Sequence, residues 1–309
     1  MTRQEIRIGI TLGDCAGIGP EIVDLALKSG RIPGDAEYQI IGSYPRCSLG
    51  QPTKETARAA AEALEEVVTM AKRGMIDAVV TGPIHKARMY RAGLKFPGQT
   101  EFFAERCGLK NFAMCLTSEK LTVALVTTHI PLREVPRILQ QSEIVRVGLL
   151  LSEFLQSRSI RANTTGLAGD VHQNHGKQPR IAVAGLNPHA GEAGEIGREE
   201  IDIITPAVEQ LQKRCGEKLT IVGPAPPDTV FRRAVEGEFD AVLCLYHDQG
   251  LIPVKLLAFH SGVNVTLGLP FPRTSPDHGT AFDIAGKGLA RADSMIAAIN
   301  LAVELAHNK

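Results

Sequence analysis

The 309-residue sequence has no net charge, because 34 Lys and Arg residues balance 34 Asp and Glu residues. That balance removes the basic field that nucleic acid or an anionic membrane surface requires, so neither is expected as a partner. Six cysteines, at 15, 47, 107, 115, 215 and 244, form no CxxC pair and no regular framework, which in a chain this long points to reduced thiols. There is no run of 18 apolar residues to span a bilayer, and the opening MTRQEIRIGIT enters a strand-like pattern without a signal h-region. A cytoplasmic protein is the expectation. Neither a repeat nor a low-complexity tract is present. The phosphate-binding GxxxxGK[ST] loop is missing too: Gly169 and Gly176-Lys177 have the wrong spacing, and Gln178 replaces Ser or Thr. Gly17-Ile18-Gly19 resembles the start of GxGxxG, but Ile22 takes the third glycine position. Asp35 and Glu37 precede the next strand instead of ending it. The expectation is therefore a tight turn opening a helix at Pro20, with amides that can meet an anion.

What remains is an ordinary folded composition, 44% hydrophobic and 22% charged, long enough for two domains or one large α/β unit. Short β-branched segments predict strands at Ile6–Thr11, Asp77–Thr81, Leu121–Thr127, Arg180–Gly185, Leu219–Val222, Asp240–Leu245 and Val263–Leu267. Between them, Leu64, Val67, Val68 and Ala71 recur at helical spacing and predict a helix over Thr53–Arg73, stopped by Gly74. Further helices are expected over Ser142–Gln156 and Arg198–Lys213, and a loop or partner-contacting arm over Ser157–Gln178. Near-continuous apolar strands alternating with helices define the α/β class, with parallel sheets covered on both faces.

The chemically unusual residues follow the strands at their C-terminal ends, where open α/β sheets bind ligands. Gly82-Pro83-Ile84-His85-Lys86, Thr128-His129, Asn187-Pro188-His189 and Tyr246-His247-Asp248-Gln249 all do so. His129, His189 and His247, at the ends of separate strands, can converge on one divalent ion, since neutral imidazole is the usual nitrogen ligand for zinc and related metals. The plainer alternative is that each caps a strand. His172 and His175 read as solvated loop residues. Lys255, Asn264 and Arg273 supply two cations and an amide, suited to a phosphate and a carboxylate on a small substrate. Asp14, Asp248 and Asp283 stand in glycine-containing segments, where they can equally be turn formers.

Four motifs together carry a resemblance: Gly13-Asp14-Cys15-Ala16-Gly17-Ile18-Gly19-Pro20-Glu21, Pro97-Gly98-Gln99-Thr100-Glu101-Phe102, Asn187-Pro188-His189-Ala190-Gly191-Glu192, and Tyr246-His247-Asp248-Gln249-Gly250. From about Ile6 to Leu301 the chain resembles the 4-hydroxythreonine-4-phosphate dehydrogenase family of pyridoxal phosphate biosynthesis. The resemblance implies a homodimer of two-lobed α/β subunits like isopropylmalate and isocitrate dehydrogenases, with mostly parallel sheets flanked by helices. The active site is expected in the interlobe cleft at the dimer interface, with metal ligands from both subunits. One lobe is expected over 1–120 plus 271–309, and the other, with a dimer-contacting segment, over 121–270.

By motif, His129, His189 and His247 are the implied ligands of one divalent metal, whether Zn, Mg, Co or Mn. Gln99, Thr100, Lys255, Asn264 and Arg273 are the implied substrate contacts. The segment Asp277–Lys287 is similar to the NAD loop of isopropylmalate dehydrogenases, which points to His278, Gly279, Ala281 and Asp283. An acid at Asp283 accepts the ribose hydroxyls of NAD and repels the extra phosphate of NADP.

The implied reaction is oxidation of 4-phosphohydroxy-L-threonine at C3 and decarboxylation to 3-amino-2-oxopropyl phosphate, with Asp248 or Lys255 taking the hydroxyl proton. Paralogues that oxidise 4-phospho-D-threonate or 4-phospho-D-erythronate are the alternative, and a metal-dependent hydrolase is a more distant one. Three departures from the family pattern are visible. Gln99 stands where many members have His, Cys15 stands where Pro is usual, and the stretch from Gly42 to Thr53 is shortened.

Overall fold

Runs of four to six Ile, Val and Ala residues are too short for helices, and strands buried on both faces need helices above and below. The computed structural model describes residues 5–165 and 178–308. It shows a mixed α/β fold of mostly parallel strands flanked by helices, arranged in two compact units.

The first unit takes the chain up to Lys110 and again from His260. It opens with β1 (Ile6–Thr11), α1 (Gly19–Lys28), β2 (Ala36–Ile41), α2 (Lys54–Lys72), β3 (Ala78–Thr81), α3 (Lys86–Arg91) and α4 (Gln99–Arg106). It closes with β9 (Val263–Leu267), β10 (Arg273–Pro276) and α10 (Asp293–His307). The strands run in the order β2-β1-β3-β10-β9, all parallel except β9, which is antiparallel to β10. Helix α2 forms where the periodicity placed it. The Thr53 hydroxyl accepts the Thr56 N–H while the Thr56 hydroxyl accepts that of Thr53, a capping box, and Gly74 at φ +66° ends the helix. Leu64, Val67, Val68 and Ala71 are buried with Phe102, Phe103 and Phe271 in one core. Each large apolar side chain removed from water in this way contributes about 1.5–3 kcal/mol.

The second unit is Asn111–Phe259. It contains β4 (Ala113–Thr117), β5 (Thr122–Leu125), α5 (Val135–Ile138), α6 (Gln141–Thr165), β6 (Arg180–Ala184), α7 (Thr205–Cys215), β7 (Thr220–Ala225), α8 (Val230–Val235), β8 (Ala241–Cys244) and α9 (His247–Ala258). Its sheet order is β4-β5-β8-β6-β7, parallel except for the β4–β5 hairpin. That hairpin keeps β4 with β5, and the β9–β10 pair keeps β9 with β10. The seams accordingly fall after Lys110 and Phe259.

Two sequence expectations change here. The loop expected from Ser157 begins later, because α6 continues to Thr165. A helix already formed adds residues at little cost even without an apolar stripe, and Arg158 lies over the Phe154 ring at 5.8 Å. The rest of the expected loop, with His172 and His175, lies outside the described residues. The helix expected from Arg198 starts instead with a π turn, Glu200–Ile204, before α7. Among the described residues, no helix is long and apolar enough to cross a membrane.

Candidate active site

In the second unit β5, β8 and β6 are neighbours and parallel, so their C-terminal ends leave the sheet along one edge. Each end leads to a histidine of the predicted set: His129 after β5, His247 after β8, His189 after β6. The His129 and His247 rings come to 5.6 Å between centroids. His247 starts α9, and its Nδ1 lies 2.6 Å from the Asp248 Oδ1, which orients the ring and leaves Nε2 outside that contact. His189 sits on a separate turn. Among the described residues, no three His, Cys, Asp or Glu side chains are gathered closely enough to hold a metal ion. The donor set of this chain nevertheless suits a divalent ion, with two facing imidazoles and one of them held by a carboxylate.

Sequence reasoning gave no role to two residues at this edge. Gln249 is buried; its Oε1 accepts the Leu245 N–H at 2.7 Å and its Nε2 donates to the Gly185 carbonyl at 2.7 Å. It therefore ties the end of β8 to the end of β6. Glu200, also buried, accepts the N–H groups of Leu186 and Asn187. Glutamine beside the histidine motif was the only available signal for the first, and for Glu200 there was none.

Arg273 is the largest fully buried side chain of the first unit, at 2% exposure. Nη2 donates to the Thr81 hydroxyl and, at 2.8 Å, to Oε1 of Gln99, whose Nε2 in turn donates to the Gly82 carbonyl. Nη1 donates to the Thr266 hydroxyl, which also meets the Thr100 hydroxyl at 3.3 Å. The guanidinium lies over the Phe103 ring, and Nε has no hydrogen-bond partner among the described residues. Burial pushes its pKa down to about 9 against the opposing pull of Glu101, which leaves it cationic at neutral pH. The structure thus joins three predicted substrate residues, Gln99, Thr100 and Arg273, through Thr81 and Thr266. Asn264 is half-buried on β9, opposite Ser275 of β10. Lys255 is half-buried on α9 of the second unit.

The expected NAD loop packs on the glycine turn after β1. The Ile18 N–H donates to the Thr280 carbonyl at 2.9 Å, and a Cβ on Gly17 would lie 2.6 Å from that same oxygen. Gly17 donates its own N–H to Asp14. Two of the amides expected to face an anion are therefore used within the protein, and Gly17 serves close approach. Beyond Thr280, Ala281 has φ +42°, Phe282 stacks on His85 at 5.9 Å, and Asp283 is exposed. An exposed carboxylate there has the acceptor chemistry that the ribose diol of NAD needs. His278 meets the Gly279 carbonyl through Nδ1. All six cysteines are free. Burial, with Cys47 alongside, raises the Cys15 thiol to about 12, far from nucleophilic at neutral pH.

The chain is similar to known proteins over nearly its whole length. Residues 23–302 match the family of the pyridoxal phosphate biosynthetic protein PdxA. The chain belongs to this family. The 4-hydroxythreonine-4-phosphate dehydrogenase of Caulobacter vibrioides is 47% identical, covering 97% of this chain and 97% of its own. That of Aquifex aeolicus is 42% identical, covering 97% and 98%. The crystal structure of the Klebsiella pneumoniae 4-hydroxythreonine-4-phosphate dehydrogenase superposes with a TM-score of 0.76 at 36% identity, covering 97% of this chain and 99% of that one. The PdxA family makes this chain a dehydrogenase acting on a CH–OH group.

Proposed function

We propose that this chain oxidises the C3 hydroxyl of 4-phosphohydroxy-L-threonine with NAD and releases the carboxylate of the resulting β-keto acid as CO2, giving 3-amino-2-oxopropyl phosphate. The observation that supports this most is the His129–His247 pair, 5.6 Å apart at the C-terminal edge of a PdxA-family sheet. Those two histidines, with His189 of the same or a second copy, are the residues to hold a divalent metal. Bound there, Zn, Mg, Co or Mn supplies Lewis acidity toward the hydroxyl and the ketone.

The protein's own groups divide the remaining work. Arg273 supplies a fixed positive charge for the substrate's anionic groups, kept in place by Gln99, Thr81 and Thr266. Lys255 and Asn264 complete the substrate contacts, and Asp283, with His278, Gly279 and Ala281, takes NAD. Asp248 holds His247, and Asp248 and Lys255 are the two candidates to accept the hydroxyl proton.

A second reading is kept by one residue. Gln99 cannot protonate, so a member with Gln here presents a different face to the substrate from one with His. Following NADH at 340 nm with 4-phosphohydroxy-L-threonine, 4-phospho-D-threonate and 4-phospho-D-erythronate separates the two. Turnover of the first is expected; turnover of a sugar-acid phosphate alone moves the chain to that branch, and no turnover of any contradicts both.

The resemblance also implies a homodimer, and α9 supports it. Ile252, Leu256 and Phe259 are 65%, 84% and 67% exposed and fall on one stripe of the helix, beside Asp248 and Lys255. Each is worth about 1.5–3 kcal/mol if a second copy covers it. By sedimentation the wild type is expected to be a dimer. Leu256→Glu should run as a monomer with at least roughly tenfold lower activity, one decade being about 1.4 kcal/mol. A dimeric Leu256→Glu, or a monomeric wild type, would contradict this placement of the interface.

A further inference from the structure

We infer that Glu200 is the positioning residue that holds His189 in its ligand geometry; the inference rests on the reading of His189 as a metal ligand. From His189 to Ala193 the backbone takes five successive left-handed conformations, with φ of 52°, 54°, 82°, 44° and 55°. For an L-residue each costs roughly 1–2 kcal/mol, and Gly191 alone in the run avoids that cost. Such a turn persists only where its surroundings over-determine it.

Glu200 is what over-determines it. The side chain is 3% exposed, and Oε1 accepts the backbone N–H groups of Leu186 and Asn187, both at 2.7 Å. Oε2 accepts the Asn187 side-chain amide at 2.9 Å, while the other hydrogen of that amide goes to Glu199 at 2.7 Å. These bonds grip the chain just before His189. The same carboxylate also closes the space just after it, since a Cβ on Gly191 would stand 2.6 Å from Oε2. Glu200 opens the π turn Glu200–Ile204, and its side chain reaches back to the end of β6. One buried carboxylate therefore fixes the backbone on both sides of the histidine, which is how an outer group pre-arranges a metal ligand it does not itself replace.

The test titrates Co2+ into the purified full-length protein. Affinity is read by competition with a chromophoric chelator and geometry by the cobalt d–d absorption. Glu200→Gln keeps the size but turns an NH2 toward Asn187; Gly191→Ala pushes the carboxylate from the other side. Both variants are expected to bind Co2+ roughly 10- to 100-fold more weakly with a shifted d–d band, while keeping the far-UV circular dichroism of the wild type. Wild-type affinity and spectrum in both folded variants overturn the proposal. Loss of the far-UV signal in both also overturns it, because the carboxylate then supports the whole unit and not the ligand. His189→Ala, titrated in parallel, separates the layers. If it binds Co2+ like the wild type, the ligand reading has failed and the proposal falls with it; if it alone loses cobalt, only the role of Glu200 has failed.

Discussion

Replacing Arg273 with methionine is expected to raise KM for the phosphorylated substrate by roughly 30-fold to several thousand-fold, with melting temperature unchanged or higher. The first half follows from removing the fixed charge that an anionic substrate meets. Truncating one member of a desolvated, hydrogen-bonded charge pair costs about 2–5 kcal/mol, at about 1.4 kcal/mol per decade. The second half follows from burial. A guanidinium at 2% exposure, with its pKa pushed down by desolvation, is held in the folded state against its preference for water. Methionine has a similar reach and no charge to desolvate, and replacing buried ionic groups with apolar ones of like volume is often neutral or stabilising. Thr266 keeps the Thr100 hydroxyl and the half-buried Gln99 Oε1 keeps access to water, so the Thr81 hydroxyl bears most of the lost hydrogen bonding. Steady-state kinetics and a thermal melt on the same sample check both halves. An unchanged KM would remove Arg273 from the substrate site, and a large fall in melting temperature would make it a structural residue.

His247→Ala, or His129→Ala, is expected to lower kcat by on the order of 10^3-fold, because a divalent ion in such a site is worth several kcal/mol of transition-state charge stabilisation. The fall should be accompanied by loss of tight Co2+ or Mn2+ binding measured by calorimetry. Asp248→Asn should act in the same direction but more weakly, about 10- to 100-fold in metal affinity, since it removes only the group that orients the His247 ring at 2.6 Å. A His247→Ala protein with wild-type kcat would show that the two facing rings serve the fold alone.

The histidine-bearing strand ends were legible because β5, β6 and β8 are short, mostly apolar runs followed within a few residues by polar groups that no strand would bury. Strand position and histidine position therefore came from the same break in pattern. Three strands escaped that logic. β2, AEYQII, lies at a sheet edge with Glu37, Gln39 and Ile40 exposed, and β10, RTSP, has no apolar residue but proline; β4, AMCLT, is a short hairpin arm. β2 pairs with β1 and β10 with β3, neighbours distant in sequence that local periodicity does not register. The interior of α2 was readable for the opposite reason, since its stripe, cap and terminal glycine all agree.

Within the candidate site, the residue types could be named but not their relations. Arg273 carries the same letter whether it is solvated on a surface or wedged between Thr81, Gln99 and Phe103. Glu200 lies in a Glu-Glu pair that reads as a solvated helix start, yet one of the two is buried against β6. The left-handed run through His189 was hidden as well, because Ala190, Glu192 and Ala193 are ordinary helix formers and only Gly191 hints at a positive φ.

The most direct measurement follows NADH and CO2 together on 4-phosphohydroxy-L-threonine, with metal-stripped protein before and after adding back Mg2+, Mn2+, Zn2+ or Co2+. Oxidation with decarboxylation predicts no turnover without metal and, with it, CO2 released in step with NADH. NADH formed at full rate by the stripped protein would contradict the metal site, and silence in every condition would contradict the assigned reaction.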